Sequence, residues 1–387
     1  MTSSRPGLST LAVHAGAPQG SNAPLTTPIV QTTTFRFASA AQVQEYARGE
    51  GALYMYSRDE NPTVRAAEEA VAQLEGADSA ILFGSGMGAM TTALLGLLSG
   101  GDEVVTASAL YGGTYKLLRD VLSRFGVRMR VVSPERLADE VAARPAAACV
   151  FESPTNPTLR IVDVAKVADA CQRSGVVSVI DSTFGPPVLQ RPLESGVDVV
   201  MHSATKYLNG HSDHLLGVLA GSRERIEPLR LLARRLGASV DPQAAYDLLR
   251  GLKTFPLRIE RHCENALRIA RWLSEHPAVR RVWYPGLDSH PDHALARRQM
   301  TAFGGMVTFT LGEKGRAFRF WDRLKLVARA ASLGGVESLA SLPILFSHTG
   351  YSPEELAAAG VDEGMVRLSV GLEDAEDLIA DLKQALD

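Results

Sequence analysis

The chain is poor in cysteine and carries no surplus of charge. Its three cysteines, Cys149, Cys171 and Cys263, are too far apart for a CxxC metal or redox site, and an odd, sparse count suits reduced, buried thiols in a cytoplasmic protein. With 40 basic and 43 acidic residues the formal charge is −3, which leaves no electropositive field to attract nucleic acid. The N-terminal MTSSRPGLSTLAVHAG lacks the apolar core of a secretory leader. One uncharged run, Ser79 to Gly101, has the length of a membrane helix, yet it contains FGSGMGAM. That glycine density reads as a buried strand, a turn and a buried helix, so no membrane span is expected. The remaining composition is 45% hydrophobic and 21% charged, that of an ordinary globular protein, and the length suffices for two or more domains. The expected partner is a small molecule.

What the sequence does have is a sustained alternation of helix and strand patterns. Residues 1–57 read as an irregular arm rich in Thr, Ser, Pro and Gln, with PLTTPIVQTTTF as its only strand-like piece. Residues 58–250 read as a large α/β domain. VRAAEEAVAQLEG has helical periodicity and a glycine stop, and SAILF, DEVVTAS, VRMRVVS, AACVFES, VVSVIDS and VDVVMHS are strand-like runs separated by helices. Continuous Val/Ile runs, rather than alternating ones, are expected of a mostly parallel sheet covered by helices on both faces. Residues 251–387 read as a smaller α+β domain. It opens with the long helix pattern LRIERHCENALRIARWLSEH and continues through GGMVTFTL and VRLSVG. No linker separates the two parts, so they are expected to pack closely.

Ligands of such sheets sit at the carboxyl ends of the strands. Asp181, Lys206, Asn156, Gly86 and Met87 all fall there, although they are distant in sequence. FGSGMGA joins a strand to a helix, and backbone N–H groups at a helix start suit a phosphate. The same turn mimics a dinucleotide fingerprint, which expects an acid at the end of the next strand. Here Asp102 and Glu103 precede that strand instead, which weakens a nicotinamide reading. Ser203 and Thr205 lie just before Lys206, so two hydroxyls can serve a phosphate whose aldehyde carbon the lysine reaches. The bland alternative is a lysine extended to solvent. Asp181, one strand earlier, tips the balance because an aspartate there can pair with a protonated pyridine nitrogen, as pyridoxal phosphate enzymes require.

DVVMHSATKYLNGHS resembles the lysine signature of the cysteine/methionine metabolism family of pyridoxal phosphate enzymes. The likeness extends through YMYSRDENPT, FGSGMGAM, LYGGTY, ESPTNPTL, DSTFGPPVLQ, SLGGVESL and VRLSVGLED, in order from Tyr54 to Asp374. It implies the fold type I architecture of pyridoxal-phosphate-dependent transferases, aspartate aminotransferase-like, and pyridoxal 5'-phosphate as cofactor. Carried across residue by residue, it implies that Lys206 holds the cofactor, Asp181 pairs with its pyridinium and Tyr111 stacks on its ring. Gly86, Met87, Ser203 and Thr205 would hold its phosphate, joined by Tyr56 and Arg58 from a neighbouring subunit. Arg367 would grip the substrate carboxylate with help from Asn156 and Ser332. The implied assembly is a homotetramer, a dimer of dimers in which the arm completes a neighbour's site.

The reaction is less constrained, because lyases and synthases of the family share this machinery. Ala331 stands where several cystathionine-processing members carry glutamate, so a short apolar tail such as the S-methyl of methionine fits better. Against this, Gly113 stands where well-known methionine γ-lyases have cysteine. The expectation is a carbon–sulfur γ-lyase of the methionine γ-lyase type. Cystathionine γ-lyase follows, then cystathionine γ-synthase or O-acylhomoserine sulfhydrylase. Lys116 keeps a substrate with a distal carboxylate in play. A cofactor-bound regulatory protein is disfavoured by the joint presence of Lys206, Asp181, Tyr111 and Arg367. His202, His211 and His214 match no zinc spacing and read as structural or site-lining, with no metal expected.

Overall fold

In a computed structural model, which describes residues 6–387, two sheets organise the chain. The first is formed by Ser79–Phe83 (β1), Glu103–Ala107 (β2), Arg128–Val132 (β3), Ala148–Glu152 (β4), Val177–Asp181 (β5), Val199–His202 (β6) and Gly217–Gly221 (β7), in the order β1-β7-β6-β5-β4-β2-β3. Every pairing from β3 to β6 is parallel, and β7 is antiparallel to both β6 and β1. β1, β4, β6 and β7 are buried along their whole length, which accounts for their unbroken apolar runs. The second sheet comprises Arg281–Trp283 (β8), Met306–Thr310 (β9), Ala328–Arg329 (β10), Leu339–Ser341 (β11) and Met365–Ser369 (β12), ordered β10-β11-β12-β9-β8 and antiparallel except for β10 with β11. The fold is the α/β arrangement that the alternation of patterns implies.

The covering helices begin and end where their sequences say. Pro62–Glu75 starts with Asn61 accepting from the Thr63 N–H and Pro at its first position, and it stops at Gly76 in the left-handed conformation. Val164–Ser174 is capped by Asp163 and ends at Gly175 in the same way. The run Ser79–Gly101 divides into β1, a two-residue turn and the helix Gly86–Leu97. Among the described residues no helix is long and apolar enough to cross a membrane.

The long helix Phe255–Glu275 ties the two sheets together. Its Phe255 and Ile259 share a buried cluster with Tyr207, Leu208, Met306 and Leu333, while its Ala266, Ile269 and Leu273 pack under the second sheet with Val307, Phe309 and Val366. The end of β6 is therefore braced by residues from both halves.

The arm is more helical than its composition suggests. It contains Leu8–His14 and Ala40–Ala47, and its strand-like piece forms no strand, only an isolated bridge between Thr34 and Tyr56. Ala40–Ala47 has no buried residue; it is held by Ser39, which accepts from the Gln42 N–H, and by Gln42 Oε1, which accepts from the Ala38 N–H. A helix without an apolar face leaves little periodic signal. Side-chain bonds fasten the arm to the start of helix Pro62–Glu75: Asn61 Nδ2 donates to the Val30 carbonyl at 2.8 Å, and Thr63 Oγ1 to the Pro28 carbonyl at 2.9 Å.

Candidate active site

β4, β5 and β6 end side by side, with Glu152 opposite Asp181 and Asp181 opposite Met201. Over these ends lies a cavity of about 330 Å³. Its floor is Gly86, Met87, Asp181, Ser203, Thr205 and Lys206; its sides are Tyr111, Asn156, Ala331, Ser332 and Arg367. All eleven were read as site residues from the sequence. Tyr56 and Arg58 do not line it. They sit elsewhere on the surface, Tyr56 40% exposed and the Arg58 guanidinium 5.2 Å from its ring centroid.

The phosphate-like corner is built from close backbone packing. Ser85 caps the helix Gly86–Leu97 by accepting from the Gly88 N–H at 3.0 Å, and the helix start faces Ser203. A Cβ on Gly86 would come within 2.9 Å of the Ser203 Cβ, and one on Gly217 within 2.2 Å of the Ser85 carbonyl oxygen. Glycine at both positions lets strand, turn and lysine segment converge. The Thr205 hydroxyl is engaged locally, donating to the Leu216 carbonyl at 3.1 Å and accepting from its N–H at 2.8 Å.

Lys206 Nζ donates to Ser332 Oγ at 2.5 Å. Burial first, and the Arg367 charge second, lower its ammonium from 10.5 to about 8, against an opposing pull from Asp181. Burial also raises the Asp181 carboxyl, opposed by two bonds to Oδ1, from Thr183 Oγ1 at 2.5 Å and the Thr183 N–H at 3.0 Å. Thr183 Oγ1 in turn accepts from the Ser203 N–H, so one hydroxyl ties the aspartate to the lysine segment.

Arg367 stands on β12, in the second sheet, with 6% exposure. Its guanidinium donates to Asn156 Oδ1 at 3.1 Å and to the Ser332 carbonyl at 3.2 Å, while Nε is buried without a partner. Burial lowers it to about 10. Among the described residues it makes no ion pair, so a buried cation faces the cavity with only neutral partners. That invites a ligand carboxylate. Ser332 holds both cations, with Oγ on Lys206 and its carbonyl on Arg367, and it does so at φ +87°. For a residue with a Cβ this conformation costs about 1–3 kcal/mol and is kept only where the surroundings impose it.

Tyr111 precedes the short helix Gly112–Lys116, 43% exposed, and its phenol is raised by burial first and by Asp181 and Glu152 after that. Its N–H donates to Glu152 Oε1. Glu152 was missed in the sequence. It lies buried at the end of β4 in ACVFES and lines the cavity; burial, then Asp181, push its carboxyl well above the ordinary range. An acid closing a buried strand was the available signal. The apolar wall formed by Phe346 and Leu333, and Ser347 beside it, was also unforeseen. Lys116 turns away from the cavity, and its Nζ donates to the Thr349 carbonyl at 2.8 Å. The three histidines take separate partners: Glu75 for His202, the Asn209 carbonyl for His211, and Asp247 for His214.

A lysine whose charge burial makes costly, an aspartate near it and an arginine awaiting a carboxylate agree with a comparison of the whole chain. Residues 9–387 match the family of Cys/Met metabolism PLP-dependent enzymes. The chain belongs to this family. Pyridoxal phosphate is therefore its cofactor, and sulfur amino acids are the family's substrates. Among its relatives, the L-methionine gamma-lyase of Pseudomonas putida is 45% identical over 98% of this chain and 97% of its own. The cystathionine gamma-lyase of Bacillus subtilis is 41% identical over 98% of both. A crystal structure of cystathionine gamma synthase from Xanthomonas oryzae pv. oryzae in complex with cystathionine superposes with a TM-score of 0.93 at 37% identity, covering 99% of this chain and 98% of that one. The residues present suit the family's cofactor: the glycine-lined helix start matches a phosphate, Asp181 a ring nitrogen and Lys206 an aldehyde carbon.

Proposed function

We propose that the protein is a carbon–sulfur γ-lyase of the methionine γ-lyase type, converting L-methionine to 2-oxobutanoate, ammonia and methanethiol. The observation that carries this reading is a cavity whose lining combines few charged groups with an apolar wall. Among the described residues of one chain, Lys206, Asp181, Glu152 and Arg367 are the charged ones that line it, and Ala331, Leu333 and Phe346 leave an apolar wall for a short thioether tail. A distal ammonium or carboxylate, as in cystathionine, finds no counter-charge there, and Lys116 is engaged elsewhere.

When bound, pyridoxal phosphate supplies the electron sink that lets a proton leave the substrate's α-carbon. Arg367 binds the substrate carboxylate, with Asn156 and Ser332 holding its guanidinium in place. The Lys206 amine, eased toward neutrality, takes up and returns the α-proton. Asp181 keeps a proton on the ring nitrogen. Tyr111 exchanges the proton needed as the sulfur departs. A side chain at position 113 would meet the Tyr111 ring at 2.5 Å, so Gly113 allows the ring a position that cysteine there would alter.

Three further readings belong with this one. The division into an arm of residues 1–57, a large domain of 58–250 and a smaller one of 251–387 agrees with the two sheets. Tyr56 and Arg58, turned away from their own cavity, serve the phosphate of a second copy in a dimer of dimers. The free, largely buried thiols of Cys149, Cys171 and Cys263 favour a cytoplasmic location.

The test is release of 2-oxobutanoate from L-methionine, L-cystathionine, L-homocysteine and an O-acylhomoserine, with and without added cysteine. Fast release from methionine is expected. Release mainly from cystathionine, or thioether formation only when cysteine is present, overturns the methionine assignment.

A further inference from the structure

The helix start that carries Tyr111 is fastened to a segment from the other half of the chain, residues 346–355. Four contacts do this. A Cβ on Gly112 would lie 2.0 Å from the Ser347 carbonyl oxygen, so the two backbones touch there. Lys116 Nζ reaches the Thr349 carbonyl. Next to it in sequence, Tyr115 Oη donates to Glu355 Oε1 at 2.6 Å, and one turn further on Arg119 donates to the same oxygen at 3.1 Å while lying 5.3 Å from the Tyr115 ring centroid. Tyr115 and Arg119 come to one face across a π-helical turn, Leu117–Val121, a departure from regular helix that recurs at functional sites.

Glu355 divides its two oxygens. Oε2 accepts from the Ser352 N–H at 2.7 Å, closing the capping box of the helix Pro353–Ala358, and Oε1 takes the contacts from across the cleft. Between these anchors the Tyr351 ring meets Tyr115 at a tilt, with centroids 4.9 Å apart, and His348 edge-on at 5.0 Å. The N-terminal end of the fastened segment, Phe346 and Ser347, lines the cavity together with Tyr111 and Ala331.

We infer that Tyr115 and Glu355 are positioning residues that set substrate-tail selectivity: their bond across the cleft holds the Phe346–Ser347 wall at a fixed distance from Tyr111. The inference rests on the γ-lyase reading, in which the thioether tail lies between that wall and Tyr111. The bond works at a distance from the chemistry, since neither side chain lines the cavity. Its donor stays protonated across the working range, because burial and then Glu355 push the Tyr115 phenol up to about 12.

The experiment compares Tyr115→Phe, Glu355→Gln and the double variant with Ser352→Ala, which removes the cap but leaves the cross-cleft bond. Two quantities are read: hydrogen exchange in residues 346–351 of cofactor-free and loaded protein, and the ratio of kcat/KM for L-methionine over its S-ethyl homologue. Tyr115→Phe is expected to speed exchange by roughly 10-fold and to lower the ratio several-fold, as loss of one charge-assisted hydrogen bond implies. The double variant is expected to go no further than the worse single one. Unchanged exchange and ratio in Tyr115→Phe overturns the inference. Equal effects from Ser352→Ala do so too, because they would assign the role to the helix cap. Should wild type release no 2-oxobutanoate from either thioether, the γ-lyase reading fails, and exchange in 346–351 still decides whether the fastening exists.

Discussion

Arg367 and Lys206 are two cations that meet through one serine, and Arg367 makes the charge on Lys206 harder to keep. The sign follows directly. A lysine brought to about 8 from 10.5 sheds its proton in the folded state before the unfolded chain does. Between these two values stability of the cofactor-free protein therefore rises with pH, and below about 8 the cost of the buried charge is present in full. Uptake of pyridoxal phosphate by cofactor-free protein needs the neutral amine, so its rate is expected to climb through pH 8 and level off above it. Arg367→Leu removes the second cause of the shift, and the midpoint is expected to move upward. The same change is expected to raise KM by on the order of 100-fold, through loss of a charge-assisted carboxylate clamp. Stopped-flow absorbance across pH and steady-state kinetics read the two effects; a midpoint that stays put would mean that burial alone sets the amine. Lys206 was legible because it follows the apolar run VDVVMHSAT, whereas Arg367, in the middle of β12, was reached only through the family resemblance. Glu152 was passed over because an acid at a strand end looks like a surface residue until the neighbouring strands close over it.

Among the elements, the turn before helix Gly86–Leu97 depends on a strand far along the chain. Gly217, the first residue of β7, passes so close to Ser85 that any side chain would push the turn. Gly217→Ala is expected to destabilise by about 1–3 kcal/mol through overpacking and to weaken pyridoxal phosphate retention by displacing Gly86 and Met87. Thermal unfolding and equilibrium dialysis of the cofactor measure these separately. An alanine variant that binds cofactor as tightly as wild type would show that the turn yields without moving its N–H groups. The helix boundaries at Asn61, Gly76, Asp163 and Gly175 were written in cap residues and so could be read in advance. The close approach of Gly217 to Ser85 has no local signature, because it arises only when β7 inserts beside β1. The arm's helix Ala40–Ala47 escaped for the opposite reason, having no buried face to impose a period.

At the scale of the whole molecule, the proposal that Arg58 serves the site of a second copy makes a distinctive expectation. Lys206→Ala and Arg58→Ala are each expected to lose most activity. In a mixed dimer one site carries both lesions and the other neither, so mixing the inactive proteins after mild dissociation is expected to restore activity in about a quarter of the sites. No recovery in assays of the remixed sample, with mixed dimers present by mass spectrometry, would return Arg58 to its own subunit. Pairing of the two sheets was legible only as two successive patterns; how the helix Phe255–Glu275 joins their cores depends on contacts far apart in sequence. The order of strands carries a last consequence, for synthesis. Among the described residues β1 pairs in the sheet with β7 alone, Ser79 opposite Gly221, and all five of its residues are buried in the finished protein. A chain leaving the ribosome exposes this apolar strand early and can pair it only after β7 has emerged, by which time β2 to β6 are already available to one another. Until then its open edges are exposed to aggregation and to chaperones.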